Sequence, residues 1–142
     1  MDLKTSLIDL QCEMVAERNL VNPKQITWLQ YDILYQLKKK GEILPSNLSI
    51  LLGISRTKIS KALKGLKVKG YIQQLPNKFD GRELYTSITK EGKVLLDDIS
   101  AKHTTLHQTA LKIFSKEEQE AFAYLSNKLS GKLRIARIKT DE

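Results

Sequence analysis

The sequence predicts a mainly α-helical chain with one small β-hairpin, and three observations carry that prediction. Apolar residues recur three and four positions apart through most of the chain. A glycine, Gly53, separates two short helical runs, and after Gly70 the spacing switches to alternation across a turn rich in Pro, Asn, Asp and Gly before the helical period returns. With 142 residues, 41% hydrophobic and 28% charged, the chain has the length for one buried core and not for a second independent one.

The elements follow in order. Leu3, Leu7, Leu10 and Met14 form the stripe of an amphipathic helix running to about Asn19, and Pro23 stops any continuation. Thr27-Trp28-Leu29-Gln30 reads as a capping box, with Ile26 and Tyr31 as its hydrophobic staple. The helix it opens buries Leu29, Ile33, Leu34 and Leu37, and closes on Lys38, Lys39 and Lys40, at the negative end of its dipole, before Gly41.

Between Leu44 and Gly70 two short helices are expected. Ser46 is placed to cap the first, which offers Leu48, Leu51 and Leu52 to the core, while Gly53 ends it and Ile54 plugs the turn. Ser55 caps the second, whose inward set is Ile59, Ala62, Leu63 and Leu66. This is a helix-turn-helix pattern. The runs "YIQQL" and "ELYTSI", joined by "PNKFDGR", then make a hairpin. Thr89 caps a long helix through Val94, Leu95, Ile99, Leu106 and Ala110, with a break at Phe114. Ser115 to Glu118 is a second capping box, opening a last helix with Phe122, Leu125, Leu129 and Leu133 on one stripe.

Charge then points to a partner. The formal net charge is +8, and between Gly53 and Lys93 ten cations stand against three carboxylates, a local balance of +7 that leaves +1 for the rest of the chain. Such concentration is the footprint of a surface that meets a polyanion, because each phosphate neutralised releases condensed counterions. A helix-turn-helix followed by a hairpin is a winged-helix arrangement, and its second helix is narrow enough for the ~12 Å major groove of a DNA duplex. Ser55, Arg56, Thr57, Ser60, Lys61 and Lys64 are the candidates on that helix, with Arg56 assigned to base readout and the lysines to phosphates. Lys78 and Arg82 on the hairpin tip are placed to lie along the minor groove, with Asp80 supporting the wing from within.

The apolar stripes of the first and last helices have no place on a winged helix spanning residues 26–92. The expected organisation is therefore a DNA-binding region of residues 26–92 and a helical dimerisation region of residues 1–25 and 93–142, with Leu3, Leu7, Leu10, Met14, Phe122, Leu125, Leu129 and Leu133 facing a second copy. Two copies of one reading helix about one DNA turn apart match a symmetric site.

Ile26-Thr27-x-x-Gln30, Ser55 to Leu66, Lys69-Gly70-Tyr71-Ile72, and Asp80-x-Arg82 followed after five residues by Ile88-Thr89-x-x-Gly92 stand in an order and spacing that resembles the MarR family of winged-helix transcriptional regulators. The likeness spans essentially the whole chain. It implies a homodimer with interlocked N- and C-terminal helices that binds a pseudo-palindromic operator, usually as a repressor. It also implies that Arg82 is the minor-groove residue of the wing and that Asp80 orients it. Where the family often carries a second arginine, this sequence has Gly81.

Other features are weighed against plainer readings. Cys12 sits where one MarR subgroup senses peroxides by oxidation, but Glu13 beside it would raise the thiol pKa, and a buried interface thiol is the plainer reading. His103 and His107 form an i, i+4 pair that could contribute to a metal site, yet two ligands are too few, and exposed helix histidines are the default. Trp28 and Tyr31 are read as core at the staple, with the lining of a small-molecule pocket as the alternative. No cofactor is called for.

The expected partners are thus double-stranded DNA, a second copy and a small-molecule effector, with no membrane. No stretch approaches the ~20 continuous apolar residues of a membrane span, and the N-terminus lacks the apolar segment of a signal peptide, which points to the cytoplasm. No nucleophile elbow, phosphate loop or metal grid appears, so catalysis is not expected. The alternative readings are a winged-helix protein-interaction module without DNA readout, and a redox- or metal-responsive variant of the regulator.

Overall fold

The computed structural model describes residues 1–76, Phe79 and residues 82–141, with side chains through residue 138. Seven helices and one hairpin follow each other as α1 (Leu3–Leu20), α2 (Trp28–Lys40), α3 (Pro45–Leu52), α4 (Arg56–Val68), β1 (Ile72–Pro76), β2 (Leu84–Ile88), α5 (Lys90–Lys102), α6 (Thr105–Ile113) and α7 (Lys116–Asp141). The mainly α fold with a small antiparallel hairpin is the one expected. Among the described residues no helix is long and apolar enough to cross a membrane.

The core belongs to the central segments. Ile33, Leu34 and Leu37 of α2, Leu48 of α3, Ile59, Leu63 and Leu66 of α4, Ile72 of β1 and Leu95, Leu96 and Ile99 of α5 are buried together. Each such side chain contributes about 1.5–3 kcal/mol by leaving water, so these residues supply the main drive to fold. By contrast, α1 and α6 contain no buried residue.

Local chemistry explains most element ends. The Thr27–Gln30 capping box is complete, with the Thr27 amide donating to Gln30 Oε1 at 2.9 Å and the Gln30 amide to Thr27 Oγ1 at 3.1 Å. Ser115 and Glu118 form the second box, at 2.9 and 3.1 Å. Helix α4 stops at Gly70, whose φ of +82° is the left-handed conformation of a Schellman ending. There the Gly70 amide donates to the Lys67 carbonyl and the Tyr71 amide to the Leu66 carbonyl, both at 3.0 Å.

The hairpin pairs Ile72 with Ile88 through to Pro76 with Leu84. Ile43 extends it, exchanging two 2.9 Å backbone hydrogen bonds with Thr86, so the segment between α2 and α3 lies beside the root of the wing.

Two expectations are corrected. Ser46 does not cap α3: the N-cap position is Leu44, which has no side-chain acceptor, and Pro45 occupies the first turn. The long helix from Thr89 to Ala110 is broken, with α5 ending at Lys102 and α6 starting at Thr105. At the break His103 leaves helical geometry (φ −119°, ψ 64°), and its ring packs edge-on against Trp28 with centroids 5.1 Å apart. No Gly or Pro marks this point in the sequence, where Lys102 and His103 stand between Ile99 and Leu106; a contact with a distant ring accompanies the break.

Candidate nucleic-acid interface

Helix α4 is two-sided by construction. Its inward residues Ile59, Ala62, Leu63 and Leu66 are buried, which leaves Arg56, Thr57, Ser60, Lys61 and Lys64 exposed on the other side. The helix carries no carboxylate of its own. Its outward surface therefore presents closely spaced cations with short hydroxyls between them, the chemistry that suits phosphates and base edges. Gln30 fixes the helix from behind by donating from Nε2 to the Ala62 carbonyl at 3.2 Å.

Ser55, placed among the DNA-facing candidates, has a structural task. Its hydroxyl oxygen accepts from the Lys58 amide at 3.3 Å as the N-cap of α4. Lys69, at the other end, donates to the Gln25 carbonyl, which directs that cation toward the body of the protein.

Sequence reasoning missed Glu83. At the start of the wing's second strand, its Oε1 accepts from the Ser46 amide at 2.7 Å and its Oε2 from the Ser46 hydroxyl at 3.1 Å. The same Oε1 accepts from Arg56 Nη2 at 3.2 Å. The Glu83 side chain is 18% exposed, whereas that of Arg56 is 67% exposed. A carboxylate from the wing thus supplies the cap that α3 lacks, at the positive end of its dipole, and holds the first residue of α4 as well. The available signal was a helix opening on Leu-Pro with no capping side chain, beside an acid that immediately precedes the second strand of a cationic hairpin.

Arg82 is exposed on the wing. Lys78 and Asp80 lie outside the described residues. Phe79, between them in the chain, is 93% exposed.

Outside α4 and the wing, the expected residues are more scattered. Leu3, Leu7 and Met14 on α1 and Phe122, Leu125, Leu129 and Leu133 on α7 are exposed, with Leu10 partly covered. Cys12 is an exposed free thiol rather than a buried one in this single chain. His103 and His107 do not share a helix, since the break after Lys102 falls between α5 and α6, which removes the i, i+4 geometry. Among the described residues no three metal-ligating side chains come together.

Trp28 and Tyr31 pack against the core, ring to ring at 5.3 Å. Trp28 also ties down the end of α1, donating from Nε1 to the carbonyls of Arg18 (3.0 Å) and Val21 (3.1 Å). Arg18 lies over its ring at 4.9 Å and grips Asp32 with both Nη atoms at 2.9 and 2.7 Å. Hydrogen bonding to Asp32 pushes the Arg18 pKa further up, so this cation stays charged. A cavity of about 490 Å³ opens beside this junction, lined by Val21, Asn22, Lys24 and Gln25 of the α1–α2 loop and by Leu95, Asp98, Ile99, Lys102 and His103 of the α5 side. Neither Trp28 nor Tyr31 lines it.

Comparison with known proteins bears on this geometry. Residues 24–83 match the profile of the MarR family. The chain is 28% identical over 112 residues to the multiple antibiotic resistance protein MarR of Salmonella typhimurium, covering 78% of each. In structure it is similar to wild-type apo MarR from Escherichia coli, with a TM-score of 0.72 and 23% identity over 91% of this chain and 96% of that one. It is also similar to a mutant E. coli MarR complexed with operator DNA, with a TM-score of 0.65 and 24% identity over 91% and 99%.

Proposed function

We propose that the chain is a winged-helix regulator of the MarR family and a sequence-specific double-stranded DNA-binding transcriptional regulator. It acts as a homodimer on a pseudo-palindromic operator in the cytoplasm, as a repressor released by a small ligand. It is not an enzyme. The observation that carries the reading is the outward side of α4: Arg56, Thr57, Ser60, Lys61 and Lys64 are all exposed, without a carboxylate in the helix, on a scaffold whose other side is buried. A protein-docking module would present an apolar or acidic surface there.

Readout is assigned to Arg56 with Thr57 and Ser60, phosphate contact to Lys61 and Lys64, and minor-groove contact to Arg82 and Lys78, with Asp80 supporting the wing. Residues 1–25 and 93–142 form the dimerisation region, where the exposed stripes of α1 and α7 find cover in a second copy. The match to a relative solved with operator DNA supports the docking mode.

The test is the salt dependence of binding to random and to selected duplex. The logarithm of affinity should fall linearly with the logarithm of salt concentration, with a slope of about −0.9 for each phosphate neutralised. Binding that ignored salt, or no binding to duplex, would overturn the reading.

A further inference from the structure

The eight-residue helix α3, "PSNLSILL", contains no charged residue, yet the N-terminal end is held by an anion from the wing. That anion, Glu83, also touches the cation assigned above to base readout, at 3.2 Å. One carboxylate thus joins three parts of the candidate DNA surface: the wing just before β2, the start of α3, and the first residue of α4.

We propose that Glu83 is a specificity-determining positioning residue, which sets the orientation of Arg56 and makes its guanidinium selective. The inference rests on the DNA-binding reading. Its physical basis is competition. An arginine with nothing beside it neutralises any phosphate within reach, and so adds affinity without information. Arg56 held by a carboxylate has part of its charge already matched, and leaving Glu83 for a random phosphate gains little. A base edge that accepts in the held geometry adds a contact at no such exchange. Because Ser46 fixes both carboxylate oxygens and the side chain is mostly buried, Glu83 cannot follow Arg56 as it moves.

Glu83→Gln removes the charge and keeps an acceptor for the Ser46 amide. Full-length protein is titrated with a duplex selected from random DNA by the wild type, and with random duplex, across a salt series. The preference for selected over random duplex should fall about tenfold, within the range expected for one arginine readout contact. Most of that fall should come from tighter binding to random duplex, with the salt slope of the dimer steeper by about 1.8 as the Arg56 of each subunit becomes free for a phosphate. In an Arg56→Ala background the same substitution should change neither quantity. Should Glu83→Gln melt early, Glu83→Asp serves in its place, since it keeps the charge but draws it back from Arg56.

Parallel weakening on both duplexes with an unchanged slope would make Glu83 merely structural and overturn the proposal. So would undiminished discrimination. A wild type that ignored duplex would sink the DNA reading together with this assignment, whereas a wild type that discriminates and a variant that discriminates equally well would sink this assignment alone.

Discussion

Arg137 donates from Nε to the carbonyl oxygen of Ile50, 87 residues away in the chain, at 3.2 Å, and from Nη2 to that of Leu51 at 3.1 Å. These carbonyls belong to the last turn of α3, where helix ends leave acceptors without partners and carry the negative end of the dipole. The uncharged α3 is therefore held at both ends by ions from elsewhere, Glu83 at its start and Arg137 at its finish.

Replacing Arg137 by Met should keep the packing of its aliphatic stem and lose both hydrogen bonds. A loss of about 1.5 kcal/mol is expected, at the low end for charged donors because the side chain is exposed at the surface. Thermal melts would measure it. Hydrogen exchange should show faster opening at α3 than at α2, and equal protection at both would disprove the strut.

Gly92 and Gly65 differ in what an added methyl would meet. A Cβ at Gly92 would collide with the backbone carbonyl of Tyr71 and come within 2.7 Å of Ile88 Cγ1, while at Gly65 it would meet only the side-chain Nε2 of Gln30, at 2.8 Å. Gly92→Ala should cost about 2–4 kcal/mol, because the backbone of the β1 entrance has to shift. Gly65→Ala should fall within about 1 kcal/mol of the wild type, since better helix propensity offsets the displaced amide. Denaturant midpoints decide, and equal effects would refute the contrast.

A charge on the stripe of α7 tests the dimer. Leu129 is 45% exposed and Leu125 58% exposed in the single chain, so Glu at either position should leave the core unstrained. In an obligate dimer each would bury a charge without a partner, at a cost of several kcal/mol. Sedimentation should show Leu125→Glu and Leu129→Glu as monomers at concentrations where the wild type is dimeric, and unchanged dimers would move the interface elsewhere.

The division of labour on the DNA side can be separated by salt. Lys61→Ala should weaken binding to all duplexes alike and reduce the salt slope of the dimer by about 1.8, as one phosphate contact, worth about 0.9, is lost per subunit. Arg56→Ala should instead blur sequence preference, and Arg82→Ala should weaken binding to the selected site with the dimer intact. An Arg56→Ala protein that lost affinity evenly across sequences would reverse these assignments.

What could be read without coordinates was whatever depends on near neighbours. The apolar period placed the helices, Thr27 with Gln30 and Ser115 with Glu118 announced two helix starts, and the change of period after Gly70 announced the hairpin, because caps and amphipathic faces are set by residues three or four apart. The cationic character of α4 was legible for the same reason, since which residues share a side follows from the helical repeat alone.

Only the tertiary structure decided how those pieces are held to one another. Glu83 reaches Ser46 across 37 positions, Arg137 reaches Ile50 across 87, and Ile43 pairs with Thr86 of the hairpin. His103 meets the Trp28 ring at the point where one expected helix becomes two. Such contacts arise when burial of a shared core brings remote segments together, and no local pattern encodes which side chains then stand within hydrogen-bonding distance. The sequence by itself determined most of the elements and the charge of α4; the packed chain decided that the first arginine of that helix is held by the wing.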